Sequence, residues 1–294
     1  MILVTGSTGF VGRHIVRELA SRGKELKCLV RTSSDLSMLK GLNVEICYGD
    51  VTNQGSLEVV LERVETVIHL VAIIRETRQA TFEGVNYLGV RNLVQAAKMS
   101  NVKRLIYMSN LGAGPDRRFP LLYTKWQGEE EVRKSGIEYT IFQSSVMFGR
   151  GDGFVTVLAG MVKGLPLVPV IGSGRTRFQL ISVDDAATCV AKALENKQTI
   201  NRTIPLGGPE YLTFEDIIDM VIQTLKLRRP KLHIPMSMMQ PMVWAMEQVL
   251  PRPPLTSAQL AMLSRDNITD VDIVKKVFGF KPVSLQERIG AILH

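Results

Sequence analysis

The 294-residue chain is 45% apolar and 22% charged, ordinary for a globular protein and long enough for one α/β domain with a smaller appendage. Its net charge of +8 favours acidic partners, but the lysines and arginines are spread along the chain. The densest group, Lys226 to Lys231, lacks the interleaved aromatics of a single-strand binder, which argues against nucleic acid.

Met1 to Thr5 is a short apolar run ending on glycines, the pattern of a buried parallel strand. From Phe10 the period turns helical, with Val11, Ile15 and Leu19 on one face and Gly23 placed to stop the helix. Strands are expected at Leu26 to Val30, Val44 to Tyr48 and Thr66 to Ile74. A long helix is expected over Thr81 to Ser100, then a strand at Arg104 to Met108, a helix over Tyr123 to Ser135 and a strand at Tyr139 to Phe142. Parallel strands need crossovers, so this alternation predicts an α/β fold, a doubly wound parallel Rossmann sheet over residues 1–150.

Beyond Gly149 the rhythm breaks. A helix is expected at Val183 to Leu194, with Ser182 before it and Asp184 and Asp185 in its first turn. Further helical patterns cover Thr213 to Leu225, Met236 to Leu250, Ser257 to Leu263, Val271 to Phe278 and Leu285 to Leu293. Residues 151–294 therefore read as a mostly helical cap for substrate or partner, with about 175–206 returning to the main sheet.

The three cysteines lie far apart and the four histidines share no ligand spacing, so neither disulfide nor metal is expected. The chain opens on a strand, so no signal or transit peptide is expected. No apolar run reaches the length of a membrane span. The expected location is cytoplasmic.

Gly6-Ser7-Thr8-Gly9-Phe10-Val11-Gly12 follows a strand and opens a helix. Gly6 allows the sharp turn, Gly9 lets a phosphate approach backbone N–H groups, and Gly12 permits close helix–sheet packing. The helix from Phe10 offers unpaired N–H groups to a dinucleotide's pyrophosphate. After the second strand comes Arg31-Thr32-Ser33-Ser34, with no acid until Asp35. A basic residue there suits the 2′-phosphate, so NADP(H) is favoured over NAD(H).

These pieces resemble the short-chain dehydrogenase/reductase superfamily in its extended and atypical branches. Matching segments include Thr5 to Gly12, Gly49 to Val51, His69 to Ala72, Gly84 to Lys98 and the ending near Phe278. The nearest likeness is to the atypical members grouped with the nucleotide-binding accessory subunit of mitochondrial complex I. The resemblance implies that Asp50 and Val51 border the adenine and that Val71 and Ala72 line the dinucleotide. It also implies a structural asparagine at Asn86, and a Tyr-x-x-x-Lys pair with a nearby serine.

Here the pattern departs. Lys125 stands in the matching context, but Leu121 occupies the position four residues earlier. Tyr123 is two residues before Lys125, roughly 200° around an ideal helix, and could serve only if the turn is irregular. Ser109 ends the fifth strand, one step from the family's serine place, and Gln143-Ser144 stands where Arg-Pro is usual. Lys125 could still bond the nicotinamide ribose. His69 falls within a strand and reads as a core histidine.

Two functions remain open. One is an NAD(P)-binding protein with weak or absent catalysis that stabilises or assembles a complex, either free in the cytoplasm or peripheral to a membrane complex. The other is a reductase, dehydrogenase or epimerase acting on an apolar carbonyl or a sugar nucleotide. The methionine-rich stretch Pro235 to Pro254 reads either as core or as a site for an apolar small molecule or protein, with at most peripheral membrane contact.

Overall fold

A computed structural model of the chain describes residues 1–250, 253 and 255–293. In chain order the elements begin β1 (Ile2–Thr5), α1 (Phe10–Ser21), β2 (Leu26–Val30), β3 (Val44–Tyr48), α2 (Gln54–Val60) and β4 (Thr66–His69). They continue α3 (Gly89–Met99), β5 (Arg104–Asn110), α4 (Pro120–Arg133), β6 (Glu138–Ser144), β7 (Met147–Phe148), α5 (Val155–Gly164), β8 (Val168–Ile171), β9 (Arg177–Phe178) and β10 (Ile181–Ser182). The remainder are α6 (Val183–Glu195), β11 (Arg202–Leu206), β12 (Leu212–Thr213), α7 (Phe214–Thr224), β13 (Lys231–Ile234), α8 (Met236–Val249), α9 (Ser257–Met262), α10 (Ile273–Phe278) and α11 (Leu285–Leu293).

The chain divides into two units, Met1–Ser144 with Asp184–Pro205, and Ser145–Val183 with Leu206–His294. Unit 1 holds a seven-stranded sheet in the order β11-β6-β5-β4-β1-β2-β3. The pairs from β6 through β3 are parallel. This is the doubly wound Rossmann arrangement, and its winding reverses between β1 and β4. On one face Leu3, Val67, Leu105 and Ile141 pack against Leu57 of α2 and Leu93 and Ala97 of α3. Burying each large aliphatic side chain stabilises the fold by roughly 1.5–3 kcal/mol. His14 of α1 bonds Asp184 at 2.6 Å and Lys24 bonds Glu195 at 2.8 Å, fastening α6 beside α1.

The periodicity missed three features of this part. β4 stops at His69 rather than Ile74, whose side chain is exposed. The long central helix begins with a π-helical turn at Glu83–Leu88 before α3. α2 was too short for its period to be read.

Unit 2 is mostly helical, with the short strand pairs β7–β10, β9–β12 and β8–β13. Its main core joins Val155 and Leu158 of α5, Phe178, Phe214 and Ile217 of α7, and Leu285 of α11. A smaller cluster joins Met239 and Val243 of α8 to Leu260, with Ile171 and Ile234 against it. Pro254, the end of the methionine-rich stretch, lies outside the described residues. Among the described residues no helix is long and apolar enough to cross a membrane, and no cluster of side chains could hold a metal ion.

Candidate functional site

The glycine turn lies at the carboxyl end of β1, where the winding reverses. Gly6 has φ +75°, and a Cβ there would lie 3.0 Å from the Val71 nitrogen, so the position needs glycine twice over. A Cβ on Gly12 would drive into the Gly6 carbonyl and come within 2.8 Å of the Ser7 Cα. Gly9 differs. Its backbone is extended (φ −73°, ψ 172°), it is exposed, and its nearest constraint is the Gly6 oxygen at 3.3 Å. No side chain caps α1, so its first-turn N–H groups are left for a ligand's oxygens. Thr8, Phe10 and Val11 are half-buried around the turn, and the Arg13 guanidinium lies 5.5 Å from the Phe10 ring centre. These residues fit a pyrophosphate.

Arg31 follows β2 with its side chain exposed, and its backbone N–H donates to the Ser34 hydroxyl at 3.1 Å. Asp50 ends the third parallel strand's run, and its Oδ1 accepts from the Thr52 N–H and hydroxyl at 2.9 and 2.8 Å. Val51 is buried against Gly89 of α3, Val71 is half-buried and Ala72 is exposed. Asn86, within the π-helical turn, is fully buried. It accepts from the Ile73 N–H at 2.8 Å and donates to the Ile73 carbonyl at 3.0 Å, clamping the segment after β4.

Beneath the strand ends lies a layered cluster. Parallel register brings Thr5, His69 and Tyr107 side by side. His69 Nδ1 and Thr5 Oγ1 are 2.7 Å apart, and the His69 ring stacks on Tyr107 at 5.7 Å. On Tyr107 sits Lys125, whose Nζ is 4.3 Å from the ring centre and donates to the Met108 carbonyl at 2.7 Å. Lys125 is 0% exposed. Burial pulls its pKa down to about 7, opposed by the charge of Glu129 one turn on. Burial and the Lys125 charge push His69 down to about 3, and burial raises the Tyr107 phenol well above its ordinary value.

Glu129 is itself fully buried and anchored, by Arg133 at 2.6 Å and by Gln143 Nε2 at 2.9 and 3.1 Å. Gln143 thus has a structural partner. Ser109 is buried and its hydroxyl has no hydrogen-bond partner.

α4 is a regular helix from Pro120, so Leu121 and Lys125 share a face and Tyr123 does not. Tyr123 packs on Trp126 at 5.8 Å, with the Arg117 guanidinium 5.4 Å from its ring centre. The structure therefore gathers Lys125 with His69, Tyr107 and Glu129, but does not bring Tyr123 to Lys125. Sequence reasoning passed over Tyr107 and Glu129. The four-residue step from Lys125 to Glu129 was the one available signal.

The model described as the NAD dependent epimerase/dehydratase family matches residues 2–207. The chain is 32% identical over 219 residues to a photosystem II assembly factor, Ycf39, of Guillardia theta, covering 74% of this chain and 68% of that protein. It is 30% identical over 230 residues to the mitochondrial NADH dehydrogenase [ubiquinone] 1 alpha subcomplex subunit 9 of Arabidopsis thaliana, covering 76% of this chain and 57% of that one. Among solved structures, that of gox2253 superimposes with a TM-score of 0.81 at 26% identity, covering 100% of this chain and 96% of the other.

Proposed function

The chain belongs to the NAD dependent epimerase/dehydratase family, and from that premise we propose an NAD(P)-binding protein of the atypical short-chain dehydrogenase/reductase type, with weak or absent turnover, that stabilises or assembles a larger complex. In this reading Gly6, Thr8, Gly9, Phe10, Val11 and Gly12 hold the pyrophosphate. Asp50 and Val51 border the adenine, and Val71 and Ala72 line the dinucleotide. Arg31 reads the 2′-phosphate and gives a preference for NADP(H). Ser109 and Lys125 stand on the nicotinamide side. A bound nicotinamide supplies hydride chemistry.

The carrying observation is Leu121 in the tyrosine's place, with the Lys125 ammonium already held by the Met108 carbonyl. No hydroxyl on that helical face stands ready to exchange a proton with a substrate oxygen. The names of the two relatives, an assembly factor and a subunit of a respiratory complex, support an assembly role over a metabolic one. The location that fits is cytoplasmic and peripheral to a membrane complex.

Fluorescence titration of the full chain with NADPH and NADH tests the reading. Binding of both is expected, tighter for NADPH, with no hydride exchange into a panel of aldehydes and ketones. Binding of neither cofactor would sink the proposal. Turnover abolished by Tyr123→Phe would restore a tyrosine-dependent enzyme.

A further inference from the structure

The β8–β13 ribbon of unit 2 has two unlike faces. Parallel register sets Lys231 beside Val168 and His233 beside Val170 on one face, and Leu232 beside Pro169 and Ile234 beside Ile171 on the other. On the first face Glu215 and Asp219 of α7 hold Lys231 at 2.7 and 2.8 Å, two carboxylates against one ammonium, so Lys231 offers no free charge there. On the second, Ile171 and Ile234 pack under Met239 and Val243 of α8. Leu232 remains exposed there, as does Leu167, which has the parity of Pro169 and Ile171 one step before β8. α8 thus covers one end of an apolar face and leaves the other end to solvent.

The helix is also apolar on its outer side. Met238, Met242 and Val249 recur at helical spacing away from Met239 and Val243, and are 63%, 45% and 79% exposed. Trp244, 61% exposed, lies at the other margin of this outer side, about 140° around the helix from that stripe. Singly exposed hydrophobic residues need no explanation, but four large ones on the outer side of one helix do.

Charge indicates what covers this surface. Residues 159–172 and 225–250 carry Lys163, Lys226, Arg228, Arg229 and Lys231 against one acid, Glu247. Both oxygens of Glu247 are engaged by Ser257. Lys231 is held by its two carboxylates, and Arg229 Nε donates to the Val162 carbonyl. Lys163, Lys226 and Arg228 therefore supply the exposed cations. The two lead-in segments that carry them run side by side, joined by the Val168 N–H and the Pro230 carbonyl at 2.9 Å.

Large apolar side chains flanked by three exposed cations against the single carboxylate of Glu247 match an anionic bilayer surface. Lysine and arginine meet the headgroups, while leucine, methionine and tryptophan enter the acyl boundary. We infer that unit 2 docks on an anionic lipid surface through the outer side of α8, from Met242 round to Trp244, and the Leu167–Leu232 edge. A 14-residue helix is about 21 Å long, too short for a hydrocarbon core of about 30 Å, so the contact is peripheral. The inference rests on the peripheral location proposed above and names its surface, but it requires no cofactor.

The test uses the full chain without nucleotide. Vesicles of phosphatidylcholine alone are compared with vesicles of equal parts phosphatidylcholine and phosphatidylglycerol. The protein should sediment with the mixed vesicles and not with phosphatidylcholine, and salt should release it. Tryptophan emission should shift to the blue on binding, and Trp244→Phe should lose that shift. Trp244→Glu and the double change Lys226→Glu with Arg228→Glu should each weaken binding about tenfold or more, with thermal unfolding unchanged.

Equal sedimentation with and without vesicles, or variants that bind as the parent does, would overturn the inference. Self-association that Trp244→Glu abolishes, without vesicle binding, would assign the face to a second copy and overturn it as well. Vesicle binding by a protein with no NADPH affinity would refute the proposed function and leave this surface standing.

Discussion

Lys125 concentrates the chemistry of unit 1 in a single titration. Its ordinary pKa is 10.5 and burial brings it to about 7. Above pH 7 the folded protein holds that lysine increasingly neutral, while the unfolded chain keeps it protonated until about pH 10.5. The unfolded state then binds more protons, so stability rises with pH across this window and is lost as pH falls through 7. Each pKa unit corresponds to about 1.4 kcal/mol, so the change amounts to several kcal/mol. Lys125→Met removes the charge and also the bond to Met108, worth about 1 kcal/mol. The two proteins should therefore be close in stability at pH 10, and the variant should exceed the parent by several kcal/mol at pH 6. Urea midpoints of both proteins across that range measure the difference. A constant offset between them would mean that Lys125 stays charged in the folded state. His69 carries the same sign lower down, because a folded value of about 3 against an ordinary 6.5 costs stability as pH falls from 6.5 to 3.

At the scale of elements, the turn and α1 separate two reasons for a glycine. A Cβ on Gly12 collides with the backbone of Gly6 and Ser7, so that glycine serves packing. Gly9 has a backbone any residue can adopt and meets only the Gly6 oxygen at 3.3 Å, so packing does not require its glycine, and the proposed reading assigns it to a phosphate approaching from outside. Gly12→Ala should destabilise the fold by about 1–3 kcal/mol through overpacking. Gly9→Ala should leave the melting temperature within a degree or two, given an effect of at most about 0.5 kcal/mol, yet weaken NADPH binding about tenfold or more. Equal NADPH affinity in Gly9→Ala and the parent would detach the turn from the pyrophosphate.

The turn was readable because strand, glycines and helix are adjacent in sequence and each follows a local rule. The cluster beneath it was not. His69, Tyr107 and Lys125 meet through strand register and a helix crossing, and no local pattern encodes either. The π-helical turn was hidden similarly, since the paired hydrogen bonds between Asn86 in that turn and the Ile73 backbone span 13 residues. The apolar period of the central helix continues smoothly through that turn.

At the scale of the whole molecule, alternation of strand and helix was enough to predict the sheet, because crossovers leave few alternatives. Cofactor choice depends on charge at two ranges. The net charge of +8 attracts any dinucleotide and is screened by salt. In the proposed reading Arg31 acts locally, as the exposed cation directly after β2. Raising the salt should weaken both cofactors, and NADPH more steeply, since it carries the additional phosphate. Arg31→Asp should reduce the ratio of NADPH to NADH affinity by about tenfold or more, because a charge-assisted bond is replaced by repulsion. The Ser34 hydroxyl accepts from the Arg31 backbone rather than its side chain, so the loop should keep its turn in the variant. Titrations of parent and Arg31→Asp at low and physiological salt measure both effects. A ratio that follows salt but ignores the substitution would transfer the preference from Arg31 to the field of the entire protein.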